Sequence, residues 1–120
     1  MKGLILAVVA VALAGAVWAG GGWSTSYSLT GGTVAVTNTQ ANSSWVPVAV
    51  LIQYAGASTG TVEVRRVSQS FNVLLSSCAF TSVSSVVWIP DAAFPFEYGD
   101  ALVIGSSETN GVAQLMRRGE

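Results

Sequence analysis

Beyond residue 23, apolar and polar residues alternate in run after run, and each run stops at glycine, asparagine, serine or proline. A period of two is the signature of a strand with one face buried. The runs are residues 24–30, 32–39, 43–55, 60–67, 69–77, 80–89, 100–107 and 111–118. No window after Gly22 carries a helical apolar period. The spacing therefore predicts an all-β domain, a single jelly-roll-like β-sandwich of about eight strands.

Particular residues sharpen that expectation. Val34 and Val36 share one face, as do Val62 and Val64, with Glu63 pointing away. In the long run 43–55, the even positions Val46, Val48, Val50 and Ile52 are expected on one face. Pro47 has no N–H to give, which favours a strand start or an edge. Gly31-Gly32 reads as a turn, and Asn110-Gly111 reads as a tight hairpin between the last two strands. Cys78, alone in "VLLSSCAF", reads as a small buried hydrophobe with no partner.

The first 23 residues are different. Lys2 is followed by a wholly apolar or small-residue run, residues 3–19, and then by a glycine-rich linker, 20–23. Leu4, Ile5, Leu6 and Val8, with Leu13 and Val17, favour a helix in apolar surroundings. Such a helix has no wet face, so lipid or protein must enclose it. Trp18 and Trp23, on either side of the glycines, suit a membrane–water boundary. The layout fits a membrane anchor, an assembly helix or a signal peptide. The domain organisation is then an apolar helix over 1–19, the linker, and a β domain over 24–120.

Charge limits the function classes. Only 9% of residues are charged, and none lies between Lys2 and Glu63. A typical soluble domain carries about 25%. So neutral a surface suits packing against copies of itself or against a major coat or surface protein, because few ions need desolvating. The net charge of −1 and the absence of a basic stripe argue against nucleic acid. There is no histidine, no G-x-S-x-G elbow and no phosphate-binding glycine loop. No catalytic residue, metal, cofactor or small-molecule substrate is expected.

Two arginine pairs, Arg65-Arg66 and Arg117-Arg118, are notable. In a strand, one of each pair faces inward unless the strand ends or bulges there. Either both stand in water at a strand end, or one forms an inter-subunit ion pair with Glu63, Glu97 or Asp100. The segment "IPDAAFPFEYGDALVI", residues 89–104, is the one distinctive loop. Phe94, Phe96 and Tyr98 alternate along it. They either plug one end of the sandwich or form a partner contact.

The stretches "TGTVEVRRVSQSFNVLLSS" (59–77) and "VVWIPDAAFPFEYGDALVIGSSETNGVAQLMRRG" (86–119) resemble small β-sandwich structural proteins of bacteriophage virions, of minor-capsid or cement type. The "GTVEV" strand, the proline-bearing link and the "GDALVI" strand carry the likeness. The resemblance implies a non-enzymatic subunit present in many copies and located in the virion. The apolar N-terminal run departs from that pattern and implies membrane association or a helix threaded into a shell. The alternative is a secreted or cell-surface adhesin-type binding module.

Overall fold

The computed structural model describes residues 4–5, 22–92 and 94–119. Its strands are β1 (Leu4–Ile5), β2 (Gly22–Ser28), β3 (Thr33–Thr37), β4 (Trp45–Val67), β5 (Asn72–Trp88), β6 (Ala101–Ser106) and β7 (Gly111–Gly119). No helix occurs among the described residues. Apart from Leu4–Ile5, the expected helix over 3–19 lies outside them. Those two residues pair antiparallel with Trp88 and Val87 of β5. Gly22 and Trp23, assigned to the linker by composition, already belong to β2.

All seven strands form one antiparallel sheet, curled into a half-barrel. β4 is central and pairs with β5 from Val50 to Val67. On its other side it pairs first with β7 and then with β6. β7 and β6 in turn carry β2 and β3 on their outer sides. The sheet thus behaves as a few long ribbons, each bent near its middle.

The expected breaks at residues 56–59 and 78–79 do not end strands. Runs 43–55 and 60–67 merge into β4, and runs 69–77 and 80–89 merge into β5. Register shifts at Gln53/Ser58 and Ser58/Gly60 bend the ribbon without interrupting it. Bulges bend strands and increase their twist, which is what a curled sheet requires here.

Asn110-Gly111 is not a hairpin turn. β6 and β7 follow one another in the same direction along β4, so this segment carries the chain across the bend. A two-residue hairpin of the favoured type needs positive φ at both positions, and neither residue has it. Gly111 serves close approach instead. A Cβ there would sit 2.7 Å from Tyr54 Cδ1 and 2.9 Å from the Gln53 carbonyl oxygen. Gly32 does take a positive φ, 81°, in the turn that closes with its N–H on the Leu29 carbonyl at 2.8 Å.

One core cluster occupies the concave side. Val50, Ile52, Ala113 and Leu115 meet Val62, Val64, Leu102 and Ile104 from beyond the bend. Val36 is buried and Val34 packs against this core, as their alternation required. The long run 43–55 departs from strict alternation. A register shift between Pro47 and Ala49 inserts an extra residue, so Val48 leaves the face of Val50 and packs with Leu51, Val87 and Met116. Pro47 sits near the start of β4, as expected, where β7 pairs on one side and pairing with β5 on the other begins only at Val50. Cys78 is half-exposed, not buried, and its Sγ lies 3.2 Å from the Ala79 carbonyl. Cys78 shares its face of β5 with Ser76 and Phe80, both buried, yet stays half-exposed opposite Val62.

Candidate functional site

The turn at Leu29–Gly32 folds β3 back toward β2. Between them opens a cleft of about 510 Å³. Trp23 and Tyr27 of β2 form one wall, and Val36 and Thr37 of β3 form the other. The segment after β3, including Gln40 and Ser43, closes one side, and Trp45 and Arg117 form the floor.

Arg117 is the inward member of its pair. Its phase on β7 matches Ala113 and Leu115, both fully buried, and Arg118 is exposed. The Arg117 guanidinium carbon lies 5.2 Å from the Trp23 ring centre and 4.8 Å from that of Trp45. Each such contact is worth about 0.5–2 kcal/mol, more when dry. Its terminal nitrogen donates to Thr25 Oγ1 at 3.3 Å and to the Tyr27 hydroxyl at 3.5 Å, both long. Its Nε is buried with no hydrogen-bond partner among the described residues. No described carboxylate lies within 4.0 Å of it.

The stack continues inward. Trp45 lies parallel to Phe96, with centroids 4.8 Å apart and planes within 1°. On the far side of Phe96 sits Arg66, 4.7 Å from the ring centre. Arg66 donates to Asp100 Oδ2 at 2.7 Å and to the Pro95 carbonyl at 2.9 Å. The same Asp100 oxygen accepts the Glu97 N–H at 3.0 Å. Of the acids considered for inter-subunit pairing, Asp100 is therefore engaged within the chain. Glu63 likewise pairs with Arg65 at 3.3 Å, a half-exposed contact worth little.

Asn38 ties the loop to the cleft. It is 3% exposed. Its Nδ2 donates to the carbonyls of Ser43 and Phe96, both at 2.8 Å, and its Oδ1 accepts the Gln40 N–H at 3.0 Å. Its backbone N–H reaches the Asp100 carbonyl, and its carbonyl accepts from Gly99 N–H, both at 2.8 Å. Gly99 takes a φ of 91°, which permits that tight turn.

The aromatic loop divides among three environments. Phe96 is fully buried, Phe94 is half-buried against it, and Tyr98 is 63% exposed. Only Tyr98 offers a free face. Leu4 and Ile5 lie at the β5 edge, and the other anchor residues, Leu6, Val8, Leu13, Val17 and Trp18, lie outside the described residues. No helix of the described residues is long and apolar enough to cross a membrane. Among them, no three metal-ligating side chains gather. Of the cleft residues, Asn38 and Trp45 carry no signal in the sequence, and Trp23, read there as a membrane-boundary indole, lines the cleft instead. The one legible signal was the inward phase of one arginine in "LMRRG".

No protein-family model matches the chain, and no curated protein matches it. Among solved structures it is similar to the Drosophila NLP core, at 14% identity and a TM-score of 0.48, over 82% of this chain and 97% of that one. That crystal structure is described as giving insight into pentamer formation and histone binding. A likeness of this degree carries no partner or function over to this chain.

Proposed function

We propose that the chain is a non-enzymatic structural subunit of a virion or a surface assembly, joined to copies of itself or to a coat protein along its sheet edges. One observation carries the reading. Among the described residues, every charged side chain lies on β4, on β7 or in a loop. The outer strands β2, β3 and β5 contain none. Natural sheets usually guard their edges with lysine, proline or covering elements, because unpaired N–H and C=O groups recruit another strand. From Asn72 to Val86, β5 pairs with β4 alone among the described strands. Phe71 and Val73 stand exposed at the start of that edge. In this reading the curled sheet closes as a jelly-roll-like sandwich, and the apolar run 3–19 attaches the subunit to a membrane or coat.

The test is sedimentation equilibrium of the full chain. The wild type associates, and Val73→Lys with Ala79→Lys shifts it toward monomer at an unchanged melting temperature. Both positions are exposed, so folding does not depend on them. A wild type that stays monomeric at tens of micromolar removes the proposal.

The cleft beneath Trp23 favours a second reading, a secreted or cell-surface binding module. The two readings use different parts of the surface: the β5 edge in one, the gap between β2 and β3 in the other.

A further inference from the structure

The geometry points to the Trp23–Arg117 cleft as a binding site for an acidic sugar, a pyranose ring bearing a carboxylate. The inference deepens the binding-module reading and is independent of edge assembly.

Charge comes first. Among the described residues, Arg117 is the only charged one lining the cleft. Two indoles hold its guanidinium flat, and its acceptors are two neutral hydroxyl oxygens at 3.3 and 3.5 Å. A carboxylate makes shorter, stronger bonds to guanidinium than a neutral hydroxyl does, and can engage two nitrogens at once. Among the described residues, the site therefore lacks the carboxylate partner that a fixed arginine prefers.

The surroundings select the rest of the ligand. Trp23 is 41% exposed at the mouth, beside the cation. An indole there offers an apolar face to the C–H face of a sugar ring. Thr37, Thr39, Gln40 and Ser43 supply uncharged donors and acceptors around it, matching ring hydroxyls. About 510 Å³ lies within the usual range for small-ligand sites. A single cation in a chain of net charge −1 gives no track for a polyanion.

The experiment titrates the full chain with methyl glucuronide, methyl glucoside and acetate, reading calorimetry and indole N–H resonances. The glucuronide binds at least tenfold tighter than the glucoside and shifts the Trp23 indole signal. Arg117→Gln removes that preference. Trp23→Ala, at a half-open rim position, weakens both sugars while circular dichroism shows the β fold retained. Equal binding of the two sugars overturns the acid specificity yet leaves a binding module. Acetate reproducing the glucuronide response at equal concentration overturns the sugar. No binding by any probe overturns both this inference and the binding-module reading.

Discussion

Replacing Asn38 with alanine tests the organisation of the cleft most directly. The side chain makes three hydrogen bonds: two donated at 2.8 Å and one accepted at 3.0 Å. Their partners differ in what happens next. Ser43 and Gln40 are exposed, so water replaces the lost bond, and each costs about 0.5–1.5 kcal/mol. The Phe96 carbonyl belongs to a fully buried residue and, among the described residues, keeps only the Trp45 N–H at 3.3 Å. Leaving it short of a partner costs about 1–3 kcal/mol. Bonds on one side chain do not add in full, so the net loss should be about 2–4 kcal/mol. For a domain near this size that is a fall of roughly 10–25 °C in melting temperature. Urea unfolding followed by tryptophan fluorescence measures it, with Gln40→Ala as an exposed control that stays within about 0.5 kcal/mol. Asn38→Asp should lose more at pH 7, where a carboxylate faces two carbonyl oxygens, and recover part of it as the acid protonates. A loss below about 1 kcal/mol for Asn38→Ala would refute the claim that this residue pins the aromatic loop to the cleft.

Three further outcomes follow from the packing. Gly111→Ala should destabilise by about 1–3 kcal/mol, because the new methyl meets Tyr54 and the Gln53 carbonyl in a full core; an unchanged unfolding midpoint contradicts the close-approach role. Val50→Asp places a charge at a position 0% exposed, a cost of several kcal/mol against a total of about 5–15, so soluble folded protein should not form; a folded variant by circular dichroism would show otherwise. Burial pushes the Cys78 thiol above its ordinary 9.0, and burial chiefly pushes the Tyr54 hydroxyl above 10.0, opposed by its bond to Ser106. Raised folded-state values stabilise below the unfolded pKa and lose that contribution as pH rises through the folded one. Thiol labelling should therefore be slow at pH 7–8 and climb steeply in alkali, with melting temperature falling above about pH 10; fast labelling at pH 7 is the adverse result.

The sequence by itself determined the all-β class and most of the buried faces. Alternation does this because a strand sends successive side chains to opposite sides, so Val34 and Val36, Val62 and Val64, and Val50 and Ile52 declare their shared side without any tertiary information. It also located the turns at Gly32 and Gly99, where positive φ favours glycine. Tertiary structure decided what local pattern cannot encode. Whether residues 56–59 end a strand or bend one depends on the ribbon beside them, and here β5 stays paired across the break. Val48 changes face because a register shift is a relation between two strands. Gly111 reads as a turn residue in isolation, yet its role comes from Tyr54, 57 positions earlier. The cleft is assembled the same way. Trp23, Asn38, Trp45, Phe96 and Arg117 lie far apart along the chain, and only the curl of the sheet stacks a cation between two indoles above a buried ring pair.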